Sequence, residues 1–240
     1  TTRSPMSRDE GRMALKRLLR DAISAPTLRD KQLKVGPSDL GYRCDFCLGL
    51  KLTRLYPELR PPDYELRDNF GLKAWMGTGA HHQMEVGLAQ VADPDEWTLV
   101  IEGSFPVYEL AGYGTIKGHV DVVAVHRTGY VAIVDHKTCD KARLRSYKLH
   151  GVPEEYVFQT DLYGFGVEQQ TGSPPLDVGI NFIPRDSNNL DDTWQCFAPY
   201  NRSVAEMALV RLEEVWEKVQ AGNVMELEHD PGCWDCGRRW

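Results

Sequence analysis

Residues 130–137 read YVAIVDHK, a stretch that is apolar on both faces up to Val134 and then abruptly charged. A strand with two apolar faces is typical of the middle of a sheet that helices cover on both sides. Because side chains alternate along a strand, Asp135 and Lys137 are expected to project to the same face. The stretch therefore predicts a central strand that ends in a carboxylate and an amine.

The preceding segment, residues 115–125, is a second predicted strand, and it places Asp121 within an otherwise apolar run. Carboxylates at the ends of neighbouring strands repel each other and are costly to desolvate unless a cation lies between them. Oxygen ligands of this kind suit Mg²⁺ or Mn²⁺. Such an ion can activate water for phosphodiester hydrolysis, while Lys137 orients the nucleophile or stabilises the transition state. An ordinary buried salt bridge between Asp121 and Lys137 is the alternative, because a D-x-K triplet is common by chance.

The segments around these strands predict a mixed α/β core. A helix over residues 72–91 precedes three strands, and glycine-containing turns between the strands indicate a meander. Further helices are predicted at residues 8–24 and from Ser38, which looks like an N-cap, and a capping box of Ser203 and Glu206 begins a long last helix. The other predicted elements are strands at 97–109, 115–125, 129–136, 177–183 and 193–199 and a helix from Pro153 to about Gln170.

Four short motifs follow one another between residues 77 and 163. Each is too short to be specific by itself, so their order and spacing carry the signal. They are a G-x-x-x-H helix, a G-x-x-D strand, a D-x-K strand and a Q-x-x-x-Y helix, at Gly77–His81, Gly118–Asp121, Asp135–Lys137 and Gln159–Tyr163. In this order the chain resembles the RecB-like branch of the PD-(D/E)XK nucleases, which includes CRISPR-adaptation nucleases and the nuclease parts of recombination helicases. The resemblance implies a restriction-endonuclease-like core, in which helices flank a central mixed sheet.

The resemblance also implies a metal-ligand set. His81, Asp121 and Asp135 would ligate the ion, together with the main-chain carbonyl of His136. A hydrogen-bonded core histidine is the alternative reading of His81. The neighbouring His82 points away from the helical face of His81, which favours a surface or supporting position for it.

The same resemblance makes Lys137 the catalytic lysine, while Gln159 and Tyr163, four residues apart on one helical face, would hold the DNA backbone or the site itself. A polar helix face is the alternative for this pair. The implied activity is hydrolysis of DNA phosphodiesters to leave 5′-phosphates, by exonucleolytic action on single-stranded or frayed ends in recombination, repair or phage replication. A catalytically silent nuclease fold that binds DNA or serves in assembly is the alternative function, although every ligand position is filled.

Two C-x-x-C units lie near opposite ends of the sequence, Cys44 with Cys47 and Cys233 with Cys236. In a chain without a secretion signal, such pairs indicate metal ligation more than disulfides. Four thiolates suit a structural Zn²⁺ or a [4Fe–4S] cluster, and spacing does not distinguish the two. Residues 38–44 resemble the first-cysteine segment of the iron–sulfur members of the branch, which favours [4Fe–4S], although those members carry one more cysteine after the last pair. Either centre would join the N-terminal and C-terminal regions.

The net charge of −7 counts against a general nucleic-acid coat, since phosphate neutralisation needs clustered cations. It does not count against a nuclease, because metal ligands are carboxylates and DNA contact requires only a local basic patch. One patch directly follows the D-x-K triplet and is the predicted DNA contact, whereas a second is expected to be a solvated face. The first comprises Lys141, Arg143, Arg145 and Lys148, and the second comprises Arg12, Lys16, Arg17 and Arg20.

Other features of the sequence bear on location, partners and domains. It has neither a run of eighteen apolar residues nor a signal-peptide core, so we expect a cytoplasmic protein without a membrane span. It also lacks a G-x-x-x-x-G-K-[ST] loop, so any helicase or recombination partner would be a separate protein, and it lacks the H-E-x-x-H and deaminase motifs of zinc hydrolases. Residues 1–70 are expected to form an N-terminal helical region, 71–202 the nuclease core and 203–240 a C-terminal helix with the second cysteine pair.

Overall fold

The structure is a computed structural model, and it describes residues 34–41, 43–64 and 72–233. Three of the sequence predictions lie outside these residues: the helix at 8–24, the basic patch from Arg12 to Arg20, and Cys236. In the ranges that are described, no helix combines the length and the apolar composition needed to cross a lipid bilayer.

A five-stranded mixed sheet forms the centre of the fold, and its strands lie side by side in sequence order. The first three strands form an antiparallel meander, the third and fourth are parallel, and the fifth is antiparallel to the fourth. The predicted meander and the predicted central position of the D-x-K strand are both confirmed. The strands are β1 (Trp97–Leu110), β2 (Gly114–His126), β3 (Val131–Cys139), β4 (Asp177–Pro184) and β5 (Trp194–Pro199).

Helices accompany the sheet, and the long ones agree with the sequence prediction to within one or two residues. The described α-helices are α1 (Pro37–Leu40), α2 (Asp45–Leu52), α3 (Leu72–Val91), α4 (Lys141–His150), α5 (Glu154–Thr171) and α6 (Arg202–Gln220). Short 3-10 turns occur at Pro57–Leu59, Leu190–Asp192 and Val224–Glu226. The order of elements is therefore the mixed α/β order that the sequence predicts.

Helix α4 has no counterpart among the predicted elements. Leu144 is its one buried residue, so the apolar periodicity that indicates an amphipathic helix is missing. Asp140 begins the helix by accepting a hydrogen bond from the Arg143 amide at 2.8 Å. The connection from β3 to the parallel strand β4 consequently runs through two helices, α4 and α5.

Two predicted helix caps are wrong. The first helix begins after Gly36 rather than at Ser38, because Asp39 accepts a hydrogen bond from the Gly36 amide and fixes that turn. The last helix is capped by Asn201, whose side chain accepts from the Ser203 amide. In both cases an Asp or Asn close to the predicted serine provides the capping oxygen.

The helix predicted from Ser38 is also divided in two. Gly41 ends α1, and α2 begins only after Cys44. A Cβ at Gly41 would collide with the carbonyl group of Glu155 on α5, so the close packing of α1 on α5 requires glycine here. Cys44 and Cys47 therefore lie at the start of a separate, buried helix.

The two faces of the sheet are covered differently. Helices α5 and α6 pack on one face with α1 and α2, and they bury two apolar clusters. Helix α3 lies on the other face and leaves beneath it an apolar cavity of about 510 Å³. Strand β3 is contacted from both sides, since Asp135 meets Gln159 of α5 and His136 meets His81 of α3. The predicted site residues thus gather around this strand.

Candidate active site

Strands β1 and β2 both break the regular alternation of side chains at the same place. On β1, Leu99 lines the cavity under α3 while Phe105 lies in the core under α5, although a regular strand would put two odd-numbered residues on one face. On β2, Val122 lines the cavity and Val120 lies in the core in the same way. Between these residues on β1 stands Glu102, whose φ of 52° is the one positive value among the described non-glycine residues.

The break brings Glu102 and Asp121 together with His81. Ile101 is paired with Val122 and Gly103 with Val120, so Glu102 and Asp121 lie level with each other between these pairs. His81 reaches them from α3, so that ligand atoms of the three side chains lie within 4.8 Å of one another. Nδ1 of His81 is 3.2 Å from Oδ1 of Asp121 but lacks the angle of a hydrogen bond. Nitrogen and oxygen atoms that converge in this way fit a divalent cation between them.

Sequence reasoning did not identify Glu102 as a site residue. A single glutamate in a strand is ordinary, since solvent-exposed strand faces carry such residues. The available signal was Gly103 directly after it, because a glycine inside a strand often marks an irregularity or a close backbone approach.

Asp135 and Lys137 lie together on the α5 side of β3, as alternation predicts, with Nζ of Lys137 2.7 Å from Oδ2 of Asp135. Lys137 therefore pairs with Asp135 and not with Asp121. The side-chain amide of Gln159 donates to Oδ1 of Asp135 at 3.1 Å and to the Tyr163 hydroxyl at 2.8 Å. Asp135, Gln159 and Tyr163 are all buried. The helical pair thus holds the Asp135 carboxylate and does not form a solvated face.

The two aspartates differ electrostatically. Burial by itself would raise the pKa of Asp121, but His81 and the amide of His136, which donates to Asp121 at 2.6 Å, lower this pKa overall. Burial raises the pKa of Asp135 against the opposing charge of Lys137, and the charge of Asp121 adds to the rise. Burial also opposes protonation of His81, yet Asp121 outweighs it and the pKa of His81 is raised. The raised pKa values of Asp135 and His81 show that added positive charge is favoured at this place, and the ionised Asp121 lies beside them, an arrangement that fits a cation.

The side chain of His136 points to the α3 face, away from Asp135 and Lys137. Its Nδ1 lies 3.2 Å from the Asn181 amide nitrogen, which can only donate, so a hydrogen bond here requires the tautomer that carries its proton on Nε2. Burial lowers the pKa of His136, which keeps the ring neutral. The ring meets that of His81 edge-on, with centroids 5.8 Å apart. His136 thus supports the orientation of His81 with its side chain, independently of the predicted ligation through its carbonyl.

His82 lies outside this group. Its side chain is 74% exposed, and its Nδ1 is 3.5 Å from a carboxylate oxygen of Glu85 one turn along α3. The structure therefore places this histidine at the surface.

The predicted DNA contacts all lie on α4, directly after β3. Lys141 and Arg143 each form an ion pair with an aspartate, at 2.7 and 3.7 Å. Across the described part of the chain, Arg145 and Lys148 have no such carboxylate partner. The charges of Arg145 and Lys148 are therefore available for an anionic ligand.

Three of the predicted cysteine ligands come together. The Sγ atoms of Cys44, Cys47 and Cys233 lie within 4.8 Å of one another, and those of Cys47 and Cys233 are 3.6 Å apart. Between the first two, Phe46 stacks on the ring of His229 with centroids 4.1 Å apart. The cysteine group consequently joins α2 to the segment that follows α6, as the sequence predicts.

Comparisons with known proteins agree with this architecture. A family model described as the PD-(D/E)XK nuclease superfamily matches residues 50–240. No curated protein sequence matches the chain significantly.

Solved structures also resemble the chain. The alkaline exonuclease LHK-Exo from Laribacter hongkongensis is 11% identical, with a TM-score of 0.54, over 81% of this chain and 91% of that chain. The same exonuclease in complex with dAMP is 12% identical, with the same TM-score and coverage. The crystal structure of SSO0001 is 16% identical over 95% of this chain and 92% of that chain, with a TM-score of 0.48. At such identities the likeness to LHK-Exo concerns the fold alone.

Proposed function

The chain belongs to the PD-(D/E)XK nuclease superfamily, and from this premise we propose that it is a metal-dependent deoxyribonuclease that acts as an exonuclease on single-stranded or frayed DNA ends. The observation that carries the proposal is the convergence of His81, Glu102 and Asp121 beside the pair of Asp135 and Lys137. The fold shared with an alkaline exonuclease supports the exonucleolytic part. The pathway would be recombination, repair or phage replication, with strand separation supplied by a separate helicase.

The groups that would hold Mg²⁺ or Mn²⁺ are the side chains of His81, Glu102, Asp121 and Asp135 and the main-chain carbonyl of His136. Bound there, the ion would lower the pKa of a water molecule and offset the negative charge that develops on the phosphate. Gln159 fixes the Asp135 carboxylate by its hydrogen bond, so this group is oriented before substrate arrives. The ammonium group of Lys137 lies at the edge of the same site, where it would orient the attacking water or stabilise the transition state.

The proposal is tested by comparing the wild type with Lys137→Ala on end-labelled single- and double-stranded DNA in Mn²⁺, Mg²⁺ or EDTA, after purification without oxygen. We expect metal-dependent degradation by the wild type and a loss of at least about 100-fold in the variant. Lys117→Ala is the control, because Lys117 is an exposed lysine on β2. If the folded wild type cuts no DNA under any of these conditions, the alternative of a catalytically silent DNA-binding or assembly subunit replaces the proposal.

We further propose that Cys44, Cys47 and Cys233, with Cys236 as the fourth ligand, bind a [4Fe–4S] cluster and not a structural Zn²⁺. The support is the convergence of the three described thiols and the resemblance of the segment around Cys44 to iron–sulfur nucleases. Both centres accept four thiolates, so the metal itself must be measured. Iron and sulfide in equal amounts in oxygen-free protein are expected, and stoichiometric zinc without iron would contradict the assignment.

A further inference from the structure

A row of side chains leads away from Lys137 across three neighbouring strands. In the sheet register Lys137 on β3 is paired with Phe182 on β4, and Phe182 is paired with Trp194 on β5. Paired residues on adjacent strands share one face of the sheet, and the strands are about 4.8 Å apart. The backbone of Trp194 is therefore about 10 Å from that of Lys137, on the same face.

The row is aromatic, and it is supported from within the core. The rings of Phe182 and Trp194 stack with centroids 5.5 Å apart and an interplanar angle of 15°. Phe182 is completely buried, whereas Trp194 is half-buried. Tyr147 of α4 and Tyr156 of α5 also pack on Phe182, with centroids 5.4 and 6.1 Å away. A buried ring that fixes partly exposed rings provides a surface that is rigid before any ligand binds.

Cations stand at both ends of this aromatic row. Nζ of Lys137 lies 5.4 Å from the centroid of the Tyr156 ring. At the far end, Nζ of Lys148 lies 5.8 Å from the centroid of the Trp194 ring. Arg145 precedes Lys148 by three residues on α4, so the two charges share one side of the helix. Aromatic rings with basic side chains beside them are the combination by which proteins bind single-stranded nucleic acid.

We propose that the aromatic row binds single-stranded DNA, with a base stacked on Trp194 and the adjoining phosphates neutralised by Lys148 and Arg145. The inference rests on the proposed nuclease function and specifies its substrate. In a duplex each base is already stacked and paired, so only an unpaired strand can place a base on Trp194 without a cost of a few kcal/mol. The row would therefore select single strands and guide them toward Lys137.

The test measures DNA binding in the Lys137→Ala background, so that the DNA stays intact, with Mn²⁺ present. The probes are a fluorescein-labelled oligo-dT and the same strand with one abasic site at successive positions. We expect Trp194→Ala to weaken binding about 10-fold and Trp194→Phe to restore most of it. With Trp194 present, an abasic site at one position of the strand should weaken binding about as much as Trp194→Ala does. In Trp194→Ala the same abasic site should have little further effect. Phe197→Ala is the matched control, because Phe197 is 49% exposed on the same strand but lines the opposite face.

Two further variants separate this role from a structural one. Trp194→Leu keeps an apolar contact with Phe182 and carries the test if Trp194→Ala does not fold. Lys148→Ala should reduce the slope of log affinity against log salt by about one while the abasic discrimination remains. The inference would be overturned if folded Trp194→Ala or Trp194→Leu bound DNA as tightly as Phe197→Ala does, or if an abasic site had no effect on binding by the protein that retains Trp194.

DNA cutting is measured in parallel with proteins that retain Lys137, both with and without the Trp194 substitutions. Cutting without any effect of Trp194 on binding refutes only the aromatic row. Binding that depends on Trp194 without any cutting refutes only the nuclease proposal.

Discussion

Replacing Glu102 by glycine is expected to make the metal-free protein more stable while abolishing its activity. Glu102 has a φ of 52°, a left-handed conformation that costs a non-glycine residue about 1 to 2 kcal/mol. Glycine adopts this conformation without strain, but its greater conformational freedom in the unfolded chain reduces the gain in stability by about 0.5 to 1 kcal/mol. The substitution also removes a carboxylate within 4.8 Å of Asp121, a repulsion of about 1 to 3 kcal/mol that His81 partly offsets.

Together these contributions predict that Glu102→Gly is about 1 to 2 kcal/mol more stable than the wild type in EDTA. For a domain of this size the melting temperature should rise by about 3 to 6 °C. With the ion present, the wild type should instead melt at a higher temperature than Glu102→Gly. Mn²⁺ bound at the proposed site should stabilise the wild type by an amount that grows with its affinity, and a variant that lacks one ligand should gain less.

The assay is thermal unfolding in EDTA and in increasing Mn²⁺, accompanied by DNA cutting. Glu102→Gln separates the two causes, since it removes the charge but keeps the backbone strain. Glu109→Gln, on the same strand, controls for loss of a carboxylate elsewhere. If Glu102→Gly melts below the wild type in EDTA, the strain argument is wrong. If Mn²⁺ raises both melting temperatures equally, Glu102 is not part of the metal site.

Three other perturbations are also predictable. Burial raises the pKa of Asp161 to about 6, above the ordinary 3.8, so the stability from this group is full below about pH 4 and is lost as the pH rises through about 6. The free energy of unfolding in urea should therefore fall by about 1 to 2 kcal/mol between pH 4 and 7 in the wild type, after allowance for solvent screening. In Asp161→Asn this fall should be absent. Cys44→Ser should abolish binding of the proposed metal and lower the melting temperature by about 10 °C, whereas Cys196→Ser should do neither; a metal-free Cys44→Ser protein of normal stability would contradict this. A Cβ at Gly118 would lie 2.9 Å from the Tyr163 ring, so Gly118→Ala should cost about 1 to 3 kcal/mol in urea unfolding and slow DNA cutting, and unchanged values would show that the ring moves freely.

Features of the fold and site that depend only on residues close together in the sequence could be predicted from the sequence pattern. The position of Asp135 and Lys137 on one face follows from alternation along β3, and the end of α3 follows from Asp93 and Pro94 shortly after it. The order of the strands likewise follows from short turns, which leave only an antiparallel meander for β1 to β3.

Where the outcome depends on distant contacts or on a single dihedral angle, the sequence was insufficient. The role of Glu102 depends on one positive φ at the place where β1 and β2 both lose their regular alternation, and no alternation rule contains that information. Helix α4 buries only Leu144, so it lacks the apolar stripe that would have indicated it. The division at Gly41 depends on the close approach of Glu155, a residue 114 positions later.

The cysteine group also has a consequence for the order of folding. Cys47 and Cys233 lie 186 positions apart in the sequence, so we expect their side chains to meet only after the sheet and α6 have formed between them. Closing so long a loop early in folding would be entropically unfavourable, so the three thiols should come together as metal ligands only in the last stage of folding. Uptake of the proposed metal should then report completion of folding, and its removal should make the segment between α6 and Cys233 the first to become sensitive to proteolysis.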